Sequence, residues 1–346
     1  MIEKSFKEIS WQVDEPTYRE DPAYSYSTLA KFNREGFAKL DTLFDKTTSS
    51  SLTFGSMVDT LLTDGEEAFN DRFFVAKFPE VSEKIVFLSQ TIFHSFGESY
   101  SSIYDIPDSN ILDIAKQLEY QPRWKDQTRV DDIKAKGAEY YSQLCASNGK
   151  EVVSETDYQD CLNCIDVLRT SEATRDYFSP CSPWENKEKL YQLKFKGTYH
   201  GINLRCMADL IIVDYDKKTI QPCDLKTSSH AEYDFFKSFI QWNYFIQAQL
   251  YWYILRQNMD KDEYFKDFEL LPYVFIVVNR TTLNPLTWVY ADTTCEEDIY
   301  YGDTFCRNWR NIVKELDFYL NNPTKVPIGI TCNKPNDIVQ WLNSRQ

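Results

Sequence analysis

The chain has 346 residues, a formal net charge of −15, 42% hydrophobic residues and 16% aromatic residues. This much apolar material can build a large core and excludes a disordered chain, and no run of 18 apolar residues offers a membrane span. The acidic balance speaks against a general nucleic-acid binder, but a local field can run against the net charge.

The opening stretch, "MIEKSFKEISWQVDEP", lacks the apolar segment of a secretion signal, so a cytoplasmic protein is expected. Nine scattered cysteines fit reduced thiols in a chain too large to need disulfide staples. "SYSTLAKFNREGFAKLDTLFD" (25–45) reads as a helix with Ser25 or Ser27 as N-cap. Residues 52–62 have a helical pattern, and Gly65 sits just past that helix. "FFVA" (73–76) is strand-like. Residues 80–130 show no clear period, and "YQPRWKDQTRVDD", broken by Pro122, reads as a loop. Residues 131–148 and 154–178 read as helices, the second capped by Ser154.

The texture then changes. Residues 189–197, 202–216 and 217–228 read as three strands, with a turn around 197–201. A long helix is expected over 231–257. "YVFIVVN" and "LTWVYADTT" form a strand pair across the polar stretch 280–285, and 296–322 reads as a final helix. Helices, strands, helix, strands, helix describe a mixed α/β domain with a central sheet flanked by helices.

The candidate chemistry lies on the second and third of these strands. Asp209 ends the alternation in "LRCMAD", and Asp224 and Lys226 follow in "CDLKTSSH". A return strand over that distance brings Asp209 beside Asp224, and strand period two puts Asp224 and Lys226 on one face. Two carboxylates so close need a compensating cation, and oxygen ligands favour Mg²⁺ or Mn²⁺. Such an ion activates water and polarises a phosphoryl oxygen, and Lys226 can stabilise developing charge. On spacing alone, a plain salt bridge explains D-x-K equally well.

Around this core the chain resembles the PD-(D/E)XK nuclease superfamily. "MAD" and "CDLKT" match its acidic and D-x-K motifs, with Ala208 where Pro is common. "QAQLY" gives the Q-x-x-x-Y of the RecB-like branch, Gln247 and Tyr251, and "GSMVD" gives Gly55 and Asp59 where that branch carries G-x-x-x-H. "SYSTLAKF" and "LTFGSMVDTLL", followed by an acidic turn and "RFFVA", are similar to phage recombination exonucleases of the RecE type. The resemblance implies a restriction-endonuclease-like core in one elaborated domain over 1–346. It would comprise a mainly helical part to 180 with a variable insertion at about 80–150, a catalytic core over 181–325 and a tail over 326–346.

By that resemblance, Asp209, Asp224 and Lys226 are catalytic. Asp59, Asp209, Asp224 and the Leu225 carbonyl hold Mg²⁺ or Mn²⁺, joined by Glu188 or its rival Glu185. Gln247, Tyr251, Tyr244 and Thr227 touch DNA. The cations of 187–205 (Lys187, Lys189, Lys194, Lys196 and Arg205) stand against Glu188 alone. They read either as a solvated strand face or, beside a nuclease site, as a phosphate-tracking surface, with Lys194, Lys196 and Arg205 binding DNA. Ser27, Lys31 and Arg34 suit a terminal phosphate or a solvated helix face. Cys161 and Cys164 form C-x-x-C but read as core, and no iron–sulfur cluster is expected. His94, His200 and His230 read as surface residues, His230 lying next to the site. The implied activity is a metal-dependent DNA exonuclease working from an end, 5′-to-3′ on duplex DNA, in phage-type recombination or repair inside a bacterial host. Its expected partners are DNA, a single-strand annealing protein and further copies of itself. The alternatives are a restriction-type or structure-specific endonuclease and a non-catalytic DNA-binding protein.

Overall fold

The chain forms two compact units, one strand-rich and one mainly helical, each with its own apolar cluster. The computed structural model describes residues 2–45, 49–182 and 184–325, so the expected tail over 326–346 lies outside the described residues. One unit comprises residues 1–55 and 163–346, and the other 56–162. The expected insertion at 80–150 falls within the second unit.

In chain order the first elements are α1 (Glu15–Glu20), α2 (Tyr26–Glu35), α3 (Ser50–Thr63), α4 (Gly65–Arg72), β1 (Phe73–Ala76), α5 (Glu83–Phe96), α6 (Asp108–Gln117), α7 (Asp126–Ala146), β2 (Glu151–Ser154), α8 (Glu155–Thr170) and α9 (Arg175–Phe178). The helix expected over 25–45 stops at Gly36, whose φ of 65° ends it, and a 3₁₀ turn follows. The stretch without a clear period is mostly helical. α5 and α7 bury Ile85, Leu88, Ile92, Val130, Ile133 and Tyr141 in one cluster. The "FFVA" strand is present and pairs in parallel with β2. Cys161 and Cys164 are buried in α8.

The larger unit continues with β3 (Lys187–Tyr199), β4 (Ile202–Asp214), β5 (Thr219–Thr227), α10 (Phe235–Trp242), α11 (Tyr244–Met259), β6 (Glu269–Leu270), β7 (Val274–Val278), β8 (Leu286–Val289), β9 (Ile299–Tyr301), β10 (Thr304–Cys306) and α12 (Trp309–Asn321). Its sheet runs β3-β4-β5-β7-β8, with β6 pairing beside β5. β3 and β4 form a long antiparallel hairpin. It turns at His200 (φ 49°) and Gly201 (φ 75°), two positive φ values in sequence as a tight hairpin requires. β5 and β7 are parallel, so the chain must cross over between them, and α10 and α11 make that crossing. No helix among the described residues is long and apolar enough to cross a membrane.

Two expectations change. The helix read over 231–257 breaks at Asn243, which adopts φ 58° and ends α10 before α11 begins. Apolar spacing runs through both helices, so the break is carried by one residue that tolerates the left-handed region. The helix read over 296–322 is a β9–β10 hairpin followed by α12. Asn308 caps α12 by accepting from Arg310 N at 3.0 Å.

The amino-terminal segment is tied into the same core. Phe6 is fully buried and meets the Phe265 ring edge-on at 5.0 Å. Lys4 Nζ pairs with Asp262 at 2.5 Å, and Asp262 also accepts from the amides of Tyr264 and Phe265 at 3.0 and 3.2 Å. Burial pushes the Asp262 carboxyl up, but the Lys4 hydrogen bond and the two amides outweigh it and hold it below its ordinary value.

Asn243→Ala should be about 1 kcal/mol less stable than Asn243→Gly, because both lose the side-chain bond to the Ala30 carbonyl and only the Ala side chain resists positive φ. Chemical denaturation checks both. Asp262→Ala should cost about 2 kcal/mol at neutral pH. The depressed carboxyl contributes its stability above the unfolded value near 3.9 and loses it as pH falls through the lower folded value. The wild-type advantage should therefore shrink below about pH 4, read from denaturation midpoints across pH.

Candidate functional site

The β4–β5 register builds the site. Asp214 Oδ1 accepts from Lys217 N at 3.0 Å, and Lys218 takes φ 53°, which closes the turn. The strands then pair from Asp214↔Thr219 to Leu210↔Cys223. One step further along this register sets Asp209 across from Asp224. Asp209 Oδ2 accepts from Leu225 N at 3.0 Å, so the carboxylate is fastened to the backbone of β5.

Asp224 is 1% exposed. It forms an ion pair with Lys226, two residues on and therefore on the same face. Its Oδ1 accepts from Gln247 Nε2 of α11 at 2.5 Å. Gln247 is itself buried, and among the described residues its Oε1 has no hydrogen-bond partner. Lys226 Nζ lies 4.6 Å from the centre of the Tyr244 ring. That ring is in turn packed between Phe235 and Phe275, each 5.8 Å away. Burial pushes the Lys226 ammonium down, but the negative charges around it, Asp224 foremost and Asp209 among them, reverse the shift and keep it raised and protonated. Burial, reinforced by the same two carboxylates, holds the Cys223 thiol well above its ordinary value and so unreactive.

Buried residues on β4 alternate through Ile202, Leu204, Cys206, Ala208 and Leu210, and Ile211 and Val213 are buried on the other face. Asp209 shares that second face with Ile211 and Val213, one step before it becomes buried. On β3 the corresponding position is Gln192, which takes φ 52°. The β3–β4 pairs on either side are Tyr191↔Leu210 and Leu193↔Ala208. Gln192 is a site neighbour that the sequence did not reveal, because nothing in a Gln codes for a left-handed backbone. Gly55 gains a packing reason, since a Cβ there would come within 3.1 Å of Thr227 Oγ1.

Other expected residues are placed differently. Glu188 pairs with Val213, four residues from Asp209 along β4 and roughly 13 Å away at strand rise. It is held by Tyr215 OH at 2.5 Å and Ser5 Oγ at 3.0 Å, so it does not join the acid pair. Its rival Glu185 accepts from Ser182 N and pairs with Lys187. Tyr251 is buried, with its ring 6.2 Å from that of Tyr273, so it supports the site from beneath and is not a surface for DNA. Asp59 lies one turn beyond Gly55 on α3, in the part of that helix belonging to the second unit.

The basic island is largely spent on the protein itself. Lys196 pairs with Asp21 at 2.5 Å and lies 3.9 Å from the Trp11 ring centre. Arg205 donates to the Tyr18 carbonyl and stacks on the Tyr18 ring at 4.8 Å. Lys189 donates to the carbonyls of Asp176 and Ser179, and Lys187 pairs with Glu185 and Asp214. Lys194 is half-buried, and its carbonyl accepts from Trp11 N at 2.7 Å. Lys196 and Arg205 thus help anchor the amino-terminal segment. His230 Nδ1 contacts Ser238 Oγ at 2.8 Å, while His94 and His200 are exposed.

Among the described residues, no group of three or more His, Cys, Asp or Glu side chains is gathered as a metal site. What Asp209, Asp224 and the Leu225 carbonyl can offer is an all-oxygen set. That set suits a hard divalent cation, whose charge would also offset the repulsion between two adjacent carboxylates.

No family model matches the chain, and no curated protein matches it. Among solved structures, it is similar to a crystal structure described as a "putative exonuclease" from Eubacterium rectale. The alignment covers 97% of this chain and 88% of the other, at 13% identity and a TM-score of 0.40. A likeness at that level carries no argument about this chain.

Removing the lysine should expose the central constraint. Lys226→Met leaves a buried carboxylate without its cation and should cost about 3–5 kcal/mol. Adding Asp224→Asn should recover a substantial part of that loss, because the buried charge goes too. Chemical denaturation of the two variants beside wild type measures both effects.

Proposed function

We propose that the chain is a metal-dependent deoxyribonuclease that hydrolyses phosphodiester bonds from a DNA end. The observation that carries this reading is the convergence of Asp209, Asp224, Lys226 and Gln247 at one sheet position. A buried acid held by both a lysine and a glutamine is a costly arrangement for a purely structural strand. A Mg²⁺ or Mn²⁺ held by Asp209, Asp224 and the Leu225 carbonyl would neutralise phosphoryl charge and make water more acidic.

The chain's own residues supply the rest. Lys226 carries a fixed positive charge beside Asp224, on the face where negative charge grows as a phosphorus–oxygen bond is made. Tyr244 holds that ammonium against an aromatic face and restricts where it points. Gln247 fixes the Asp224 carboxylate by donating to one oxygen, and Leu225 N does the same for Asp209. Both acids are thereby oriented before substrate arrives, so little reorganisation remains for the reaction. The 5′-to-3′ direction on duplex DNA and a role in recombination follow from the sequence resemblance and belong to this proposal.

End-labelled linear duplex, single strands and closed circular DNA, incubated with Mg²⁺ or Mn²⁺, test the reading. Wild type should digest linear DNA and spare the closed circle. Asp224→Asn and Lys226→Ala should each lose at least about a hundredfold in rate, and a chelator should abolish digestion. Cutting of the circle would convert the reading to an endonuclease. Equal, absent digestion by wild type and variants with either metal would remove the enzyme assignment.

A further inference from the structure

Trp242 is the last residue of α10 and is 41% exposed. Its carbonyl, left without a helical donor at the end of the helix, accepts from Tyr26 OH at 2.7 Å and from Arg34 Nη1 at 3.3 Å. The Arg34 guanidinium also lies 5.3 Å from the centre of the Trp242 ring. The indole is therefore braced from α2 by a cation while much of its surface stays open.

This exposed ring is continuous with the candidate centre. The Tyr26 ring lies 6.3 Å from the Tyr244 ring, and Tyr244 carries the Lys226 ammonium at 4.6 Å. Lys226, Tyr244, Tyr26, Arg34 and Trp242 form an unbroken run of cations and rings leading from Asp224 to the surface. A cation at either end of such a run suits the phosphates of a single strand, and an open ring suits an unstacked base. A base in an intact duplex is already stacked and has no free face to offer. The guanidinium beside Trp242 suits a phosphate-bearing strand better than an apolar protein face.

We propose that Trp242, braced by Arg34, stacks on a base of an unpaired strand, so that the site receives DNA through a single-stranded end. The proposal rests on the nuclease reading and narrows its substrate class. The same strand would pass Arg34 before reaching Lys226. This surface also gives a strongly acidic chain a local place for a polyanion, which the cations of β3 and β4 do not.

Binding measured in a chelator, at low salt and without hydrolysis, tests it. Full-length wild type, Trp242→Ala, Trp242→Phe and Tyr300→Ala are titrated with a labelled 20-nucleotide single strand, a tailed duplex and a blunt duplex. Trp242→Ala should weaken single-strand and tailed binding at least about fivefold and change blunt-duplex binding less than twofold. Trp242→Phe should keep most of the affinity but lose part of the tryptophan quenching that wild type shows on binding. Tyr300→Ala, an exposed aromatic on β9, should bind as wild type does. Unchanged single-strand affinity in Trp242→Ala, as expected if Trp242 serves a protein partner, would overturn this inference and leave the nuclease reading standing. An equal loss for all three DNAs, or the same loss in Tyr300→Ala, would also overturn it. Wild type that binds none of the three would sink both readings together.

Discussion

A carboxylate with 1% exposure is the constraint around which the larger unit is arranged. A carboxylate buried to that degree is costly without close positive charge and hydrogen bonds. Lys226 supplies the first and Gln247 the second. Each has to arrive from a defined place. Lys226 does so through strand periodicity alone, while Gln247 needs α11 to cross the sheet in one register. The turn at Asn243 sets the start of that helix three residues before Gln247, linking a left-handed residue in a loop-like break to the charge state of the sheet centre.

The parts that were legible in the sequence are those governed by local rules. Alternating residues and a Gly-bearing turn mark the β3–β4 hairpin, and the same alternation places Asp224 and Lys226 on one face. The alternation does not end at "MAD": it runs on to the buried Leu210, and Asp209 lies on the opposite face. Asp209 beside Asp224 followed from strand, turn and return, and the β4–β5 register supports it.

What was not legible depends on partners distant in the chain. Glu188 carries the right charge near the right motif, yet Tyr215 and Ser5 hold it four residues up the sheet from Asp209. The lysines and arginine of 187–205 form a basic island only in one dimension. In the fold, Asp21, Tyr18 and nearby carbonyls take most of them, because the amino-terminal segment lies along β3 and β4. The helix read across Asn243 and the first half of the helix read over residues 296–322 failed for a related reason. Aromatic residues at helical spacing also satisfy a hairpin or two shorter helices once a single capping residue, Asn243 or Asn308, intervenes.

The account stands or falls on whether Asp209 and Asp224 together bind a divalent cation. A titration of Mn²⁺ into the full chain, followed by electron paramagnetic resonance of the free ion, measures this without any substrate. At least one strongly held Mn²⁺ per chain is expected for wild type, with that ion lost in both Asp209→Asn and Asp224→Asn while the variants remain folded. Binding that persists unchanged in both variants, or no binding in wild type, would contradict the assignment of this acid pair as the hydrolytic centre.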